Sequence, residues 1–238
     1  MSQAKEVLRA KNISHSYGDL EVLEDVSVTA ERGKMYALIG ANGSGKTTLL
    51  KILANLLPPD TGDIKTATED AARTVGYLPQ QPSFRKGFTV AETLRFYTRL
   101  MEGVGEGYVE DALDDVGLSE ASDRSVSGLS GGMTRLLGVA QSRVGDPPIM
   151  MVDEPTSGLD PEMTGRIFET LGDIADDGAA VLLTTHDLDR VARHADEVLL
   201  INDGGVAVSG PPDEITETED VADLAELFDK VVRRRGEE

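Results

Sequence analysis

The segment GANGSGKT, at residues 40–47, carries glycines, a lysine and a threonine at the spacing of a phosphate-binding loop. Glycine lets the backbone turn tightly, so that consecutive N–H groups point at phosphate oxygens. Lys46 adds a positive charge for the β- and γ-phosphates, and the Thr47 hydroxyl can bind Mg²⁺. The residues expected to enclose the phosphates are Gly40, Ala41, Asn42, Gly43, Ser44, Gly45, Lys46, Thr47 and Thr48.

Two carboxylates end the apolar run IMMVDE. They supply the metal-binding and water-activating groups that phosphoryl transfer needs and that the loop lacks. We expect Asp153 to bind Mg²⁺, directly or through water, and Glu154 to polarise the attacking water. His186 follows the apolar run LLTT, and we interpret it as a neutral hydrogen-bonding group near the γ-phosphate. The other two histidines, His15 and His194, are interpreted as packed or solvated residues.

A second anion-binding pattern is LSGGM at residues 129–133, where a hydroxyl and two glycines precede a helical run. One nucleotide does not need two phosphate-binding helix starts. The pattern therefore raises the question of which nucleotide it serves.

The elements around these motifs alternate between short β-rich runs and helical patterns, which predicts a mostly parallel sheet covered by helices. Strands are predicted at residues 34–40, 74–79, 148–153, 179–185 and 197–202. The first of these strands and the helical run TTLLKILANLL flank the glycine-rich loop, which disfavours the alternative of a chance glycine turn. Because ligands bind at the carboxyl ends of such strands, we expect one pocket to collect Gly40, Asp153, Glu154 and His186.

Helical periodicity alone is found at residues 84–128, where Val90, Leu94, Tyr97 and Met101 share one face. We interpret this part as a helical subdomain, although a continuation of the core helices is an alternative. At the C-terminus, PPDEIT is interpreted as a break. A packing helix then follows, with Val221, Leu224, Leu227, Phe228 and Val231 on one face.

The composition excludes several classes of protein. The absence of cysteine in 238 residues rules out disulfides and thiol chemistry. The chain shows no apolar run of membrane-spanning length and no signal peptide, so we expect it to start out in the cytosol. The net charge of −20, from 43 acidic against 23 basic residues, disfavours nucleic-acid binding. A diffuse acidic surface also favours adaptation to high salt over an ordinary acidic protein.

Taken together, GANGSGKTT, LSGGM, IMMVDEPTSGLD and LLTTHD resemble the ATP-binding subunits of ABC transporters, in order and in approximate spacing. The resemblance covers nearly the whole chain. It implies an α/β fold with a P-loop NTPase core, a mostly parallel sheet, an N-terminal antiparallel β portion and an inserted helical subdomain. The implied domain is a single unit, with a nucleotide-binding core at about 1–83 and 129–210, the helical subdomain at about 84–128 and a helical tail at 211–238.

The resemblance also implies roles for individual residues. Gln80 would sense Mg²⁺ and face a membrane partner, with the neighbouring Gln81 as the alternative. Tyr17 would stack on adenine, against the alternative of a buried core tyrosine. Asp160 would meet an opposing subunit, and Ser130, Gly131 and Gly132 would cap a γ-phosphate held by that subunit. This answers the question raised by the second pattern, because two chains would then share two sites.

The implied function is Mg²⁺-dependent ATP hydrolysis that closes and reopens a dimer. The dimer would consist of two copies of the chain, or of the chain and a second ABC ATPase. It would power a membrane-spanning permease at the inner face of the cell membrane. Two positions depart from the family pattern: Met133 replaces the usual glutamine, and Leu136 stands where many members carry arginine. The methionine favours an exporter.

Two alternatives to transport remain. One is a soluble ABC ATPase of repair, translation or cluster assembly. The other is a small-molecule kinase. Separately, residues 123–141 and 145–161 also resemble the ATPase linked to copper-site maturation of nitrous-oxide reductase.

Overall fold

The computed structural model describes residues 6–66, 73–105 and 107–233. Within them, two β-sheets and eight α-helices form an α/β fold, as the sequence predicts. One sheet is antiparallel and the other is mostly parallel.

The antiparallel sheet contains the first two strands and a later one, in the order β2-β1-β4. Their bounds are β1 (Glu6–Tyr17), β2 (Leu20–Glu31) and β4 (Thr61–Thr66). Residues along β2 alternate between exposed and buried, because one face packs on the core and the other meets solvent. This sheet confirms the expected N-terminal antiparallel portion.

The second sheet has six strands in the order β5-β6-β7-β3-β8-β9, of which the first five are parallel and β9 is antiparallel. All five strands predicted from the sequence are in this sheet. Every residue of β3, β6 and β7 is buried, as expected for parallel strands covered on both faces. The bounds are β3 (Met35–Ile39), β5 (Val75–Leu78), β6 (Ile149–Asp153), β7 (Ala180–Thr184), β8 (Glu197–Asn202) and β9 (Gly205–Gly210).

Three hydrophobic clusters pack against the parallel sheet, and two of them meet at β6 from opposite faces of the sheet. Met150 and Val152 of β6 pack in the core beneath the later helices, whereas Ile149 and Met151 pack in the core that includes α1 and the antiparallel sheet. Because successive strand residues point to opposite faces, one short strand serves both cores. The helices around the sheet are α1 (Lys46–Leu53), α4 (Gly131–Arg143), α5 (Pro161–Asp176) and α6 (Leu188–His194).

The region at 84–128 contains helices and turns in its described part, as predicted. Helix α2 (Val90–Thr98) begins with a capping box between Thr89 and Glu92, and α3 (Tyr108–Asp115) follows it. Two 3₁₀ turns and an isolated bridge between Thr89 and Ser125 complete the region. Val90 and Leu94 are buried, and Tyr97 and Met101 pack against the same core.

The C-terminal part corrects one expectation. The proline pair does not break the chain, because Pro212 starts helix α7 (Pro212–Thr218). Proline has no N–H to lose at the first helical position, and its fixed φ suits a helix start. Helix α8 (Leu224–Arg233) follows and buries Leu224 and Leu227, as predicted. In the described residues, no helix combines the length and the apolar character that a membrane span requires.

Candidate functional site

The glycine-rich loop joins β3 to α1, and two of its glycines have no room for a side chain. A Cβ on Gly40 would lie 2.3 Å from the carbonyl oxygen of Ile201, and one on Gly45 would lie 2.7 Å from Leu23 Cδ2. Gly43 has open space but a φ of +82°, which L-residues rarely adopt. The loop is therefore fixed by close contacts as well as by backbone conformation.

Lys46 is the charged residue of the loop, and it is buried. Its Nζ donates to the carbonyl oxygens of Gly40 (2.8 Å) and Ala41 (3.0 Å). Burial lowers the pKa of Lys46, and the nearby carboxylates of Glu154 and Asp153 oppose that shift. The Lys46 ammonium therefore donates to two uncharged carbonyl oxygens. Hydrogen bonds from an ammonium to an anionic oxygen are stronger than these.

Ser44, in the same loop, has a buried hydroxyl oxygen with no hydrogen-bond partner. Buried polar groups are normally satisfied, and an unsatisfied one in a native structure calls for an explanation. A hydroxyl and an ammonium that both lack an anionic partner fit the binding of a phosphate group in this loop.

Asp153, the last residue of β6, accepts hydrogen bonds from two threonines at the same oxygen. Thr47 Oγ1 lies 2.9 Å from Asp153 Oδ1, and Thr184 Oγ1 lies 2.7 Å from it. The hydroxyl and carboxylate oxygens of Thr47 and Asp153 are hard ligands of the kind that Mg²⁺ prefers. Among the described residues, no cluster of three or more His, Cys, Asp or Glu side chains could hold a metal. The chemistry of Thr47 and Asp153 fits Mg²⁺, which usually binds one or two carboxylates and takes other ligands from phosphate and water.

Glu154 and His186, which follow the ends of β6 and β7, contact each other. His186 Nε2 lies 2.9 Å from Glu154 Oε1, and the Glu154 side chain is much less exposed than that of His186, at 12% against 47%. Burial raises the pKa of Glu154, and the nearby Asp153 raises it further, whereas His186 and Lys46 act in the opposite direction. A carboxylate with a raised pKa is a stronger base, which suits proton removal from water.

A cavity of about 350 Å³ connects the loop with this pair. Its volume lies within the range of small-molecule sites. The residues that line it come from the start of β2, the loop, and the ends of β6 and β7: Leu20, Val22, Asn42, Gly43, Gly45, Lys46, Thr47, Thr48, Glu154 and His186.

Tyr17 lies beside this cavity at the end of β1, where it pairs with Leu20. The residue is 52% exposed, and its ring makes an edge contact with His15, with 4.8 Å between the ring centroids. The alternative of a buried core tyrosine is therefore wrong. An exposed aromatic ring next to Leu20, which lines the cavity, is available for stacking.

Several predicted site residues lie outside the lining of the cavity, among them Gly40 and Asp153, which were expected in it together with Glu154 and His186. Gln80 is exposed and follows β5, the strand beside β6.

Ser130 and Asp160 cap helix starts outside the cavity. Ser130 caps α4 by accepting a hydrogen bond from Met133 N (3.2 Å), and Asp160 caps α5 by accepting one from Met163 N (2.9 Å). Gly131 and Gly132 begin α4.

The starts of α4 and α5 are close neighbours. A Cβ on Gly132 would lie 2.3 Å from the Met163 side chain. One chain thus brings LSGGM next to the segment that follows Glu154, but it does not bring LSGGM into the cavity that contains Lys46.

The departures from the family pattern have a structural basis. Leu136 is fully buried in the core beneath the later helices, where an arginine would have to bury its charge. Met133 is partly buried against the same core, and Arg124 Nη1 lies 3.7 Å from its sulfur.

Sequence reasoning missed Thr184. This residue is completely buried at the end of β7, and its hydroxyl contacts both carboxylate-bearing residues of the site. The sequence feature that could have identified Thr184 is its position as the polar last residue of an otherwise apolar strand.

The chain matches a family model described as ABC transporter over residues 23–157. It is similar to Nod factor export ATP-binding protein I of Ralstonia nicotianae, with 33% identity over 93% of this chain and 72% of the relative. The protein of the same name from Burkholderia lata is 34% identical over 92% of this chain and 75% of the relative.

Solved structures give the same picture. The structure of an ATP-binding subunit of an ABC transporter superposes with a TM-score of 0.84 and 30% identity, covering 95% of this chain and 99% of the other. An ATP-binding cassette of an ABC transporter in its ADP conformation gives a TM-score of 0.78 and 26% identity, covering 90% of this chain and 94% of the other.

Proposed function

Because this chain belongs to the family of ATP-binding domains of ABC transporters, we propose that it is the ATP-hydrolysing subunit of an export-type transporter. The observation that carries this proposal is the line of contacts from Thr47 through Asp153 and Thr184 to Glu154 and His186. These contacts connect the proposed metal ligands, Thr47 and Asp153, with the proposed water-activating pair, and three of the five residues, Thr47, Glu154 and His186, line one cavity. The export direction is supported by the names of the relatives, which are export ATP-binding proteins.

Within this proposal, the loop holds the phosphates of ATP. Lys46 exchanges its two carbonyl partners for β- and γ-phosphate oxygens, and Ser44 gains a partner for its buried hydroxyl. The exposed ring of Tyr17 stacks on the adenine base. Thr47, Asp153 and Gln80 hold Mg²⁺, which when bound neutralises charge on the phosphates.

Glu154 accepts a proton from the attacking water in the hydrolytic step. Its buried position keeps the carboxylate poorly hydrated, which increases its basicity. His186 Nε2 holds Glu154 Oε1 at 2.9 Å and, because it is the more exposed of the two, can also meet the γ-phosphate.

Residues 130–132 and Asp160 lie outside the cavity that contains Lys46, and we assign them to a neighbour's nucleotide. Two copies, or this chain and a second ABC ATPase, then enclose two ATP molecules between them. Dimer closure on ATP and reopening after hydrolysis drive a membrane-spanning permease at the inner face of the cell membrane.

We divide the single domain into a nucleotide-binding core at about 1–83 and 129–210, a helical subdomain at about 84–128 and a helical tail at 211–238. Within these bounds, residues 1–5, 67–72, 106 and 234–238 lie outside the described part of the chain. The net charge of −20 supports a protein that works in concentrated salt.

Two experiments test the proposed function. Purified protein should hydrolyse ATP when Mg²⁺ is present and stop when EDTA removes it. Affinity capture from native membranes should then recover a membrane-spanning subunit. Capture of a soluble complex without such a subunit would favour the alternative of a non-transport ABC ATPase. Transfer of phosphate to a small-molecule acceptor would instead identify a kinase.

A further inference from the structure

Thr184 ends β7 directly opposite Asp153, which ends β6, because these two residues are partners in the parallel ladder. Neighbouring residues in register place their side chains on the same face of a sheet. The threonine hydroxyl therefore reaches the carboxylate across one strand spacing, and Oγ1 lies 2.7 Å from Asp153 Oδ1.

The same hydroxyl also serves Glu154. Glu154 N donates to Thr184 Oγ1 at 2.8 Å, while the Oγ1–H of Thr184 donates to Asp153. A hydroxyl has one hydrogen to donate and lone pairs to accept, so both bonds form together. One side chain thus connects the metal-binding residue with the water-activating residue of the proposed site.

Glu154 needs such support because its backbone is strained. Its φ is +46°, an uncommon value for a residue other than glycine. It is also followed by Pro155, which further restricts the preceding residue. Strained conformations persist only where surrounding contacts hold them. The hydroxyl and the carbonyl oxygen of Thr184 both accept from Glu154 N, the carbonyl at 3.2 Å.

Thr184 differs from Thr47, the other threonine bonded to Asp153. Thr47 lies in the helix that follows the phosphate loop, lines the cavity and is itself a proposed metal ligand. Thr184 is completely buried within the sheet. Its hydroxyl therefore bonds Asp153 from within the sheet and not from the phosphate loop.

We propose that Thr184 is a positioning residue of the ATPase reaction, and that its hydroxyl sets the orientation of Asp153 and of Glu154 together. The inference rests on the proposed function. It concerns the hydroxyl of Thr184 and not its volume, so valine is the informative replacement. Valine keeps the branched shape but has no hydrogen-bonding group.

The experiment compares Thr184→Val, Thr184→Ser and a matched control, Thr170→Val. Thr170 is also buried and donates its hydroxyl proton to a backbone oxygen, but it lies on α5. We measure kcat, and separately the affinity for a non-hydrolysable ATP analogue with Mg²⁺ and with EDTA. The difference between the analogue affinities with Mg²⁺ and with EDTA reports on metal binding in the absence of turnover.

Partners of metal-binding residues typically affect affinity or activity by about 10–100-fold, so Thr184→Val should lower kcat by that factor. It should also reduce the Mg²⁺-dependent gain in analogue affinity by about tenfold, while affinity in EDTA stays unchanged. Thr184→Ser should stay within about threefold of the parent because it keeps the hydroxyl, and Thr170→Val should change neither quantity.

The proposal is overturned if Thr184→Val keeps the parental kcat and Mg²⁺ dependence, if serine is as damaging as valine, or if Thr170→Val has the same effect. If the valine variant does not fold, Thr184→Ala against Thr184→Ser gives the same contrast. A parental protein without Mg²⁺-dependent ATP hydrolysis would refute the proposed function itself. A parental protein with normal hydrolysis and an unaffected valine variant would refute only the role of Thr184.

Discussion

The assignment of residues 130–132 to a neighbour's nucleotide predicts that two inactive variants restore activity when they are mixed. The first variant is Lys46→Met, which removes the phosphate-binding charge but keeps the buried chain length, since Lys46 is only 7% exposed. The second is Ser130→Asp, which places a negative charge where the neighbour's γ-phosphate would bind. Aspartate is as good a helix N-cap as serine, so α4 keeps the bond that Ser130 makes to Met133 N.

The expected signal follows from the loss in each variant and from the statistics of mixing. Removing one charge-stabilising group from a reactive site typically lowers kcat by about 10²–10³-fold, so each variant alone should retain at most about 1% of parental activity. Random mixing makes about half of the dimers mixed, and each mixed dimer has one site with both defects and one intact site. If the sites act independently, the mixture recovers about a quarter of the parental activity.

The assay is ATP hydrolysis by each variant and by their equimolar mixture, together with the amount of nucleotide enclosed by dimers. A cap that acted within its own chain would leave every site defective, so mixing would recover nothing. Strict coupling between the sites would silence turnover but would still enclose one nucleotide per mixed dimer. Absence of both turnover and enclosure would refute the assignment of LSGGM to a neighbour's site.

Three further predictions concern catalysis and stability. Glu154→Gln should lower kcat by about 10²–10⁴-fold while ATP binding persists and closed dimers accumulate, because only proton removal from water is lost; hydrolysis near the parental rate would exclude Glu154 from that role. Molar KCl should raise the melting temperature, because the Debye length falls from about 30 Å at 0.01 M to about 3 Å at 1 M and screens the 43 acidic residues; a melt independent of KCl would reject salt adaptation. Burial raises the pKa of Tyr77 and of Tyr108 to about 12. The contribution of each neutral phenol to the free energy of unfolding is therefore complete below the unfolded pKa of about 10, and it is lost as pH rises through about 12. Tyr108→Phe should remove a late component from the phenolate absorbance titration, and loss of an early component would contradict its burial.

The sequence predicted the parallel sheet well because buried strands and amphipathic helices leave strong local patterns. Uninterrupted apolar runs indicated β3, β6 and β7, which are buried at every residue. The motif at 40–47 also predicted its own surroundings, since a loop of this kind requires a strand before it and a helix after it. The proline pair was misinterpreted because proline both ends and begins helices, and Pro212 begins one.

The sequence by itself therefore identified which residues are candidates for binding phosphate, metal and water, because their chemistry depends on local spacing and on the ends of strands. Only the tertiary structure decided which of these side chains meet. The contacts of Thr184 with Asp153 and Glu154 depend on the register between β6 and β7, which are separated by a helix in the chain. The 2.9 Å contact between His186 and Glu154 and the separation of LSGGM from the cavity arise in the same way. The hydrophobic pattern decides which face of a strand is buried, whereas the neighbour of each strand is set by packing across the whole core, which the pattern of one strand does not specify.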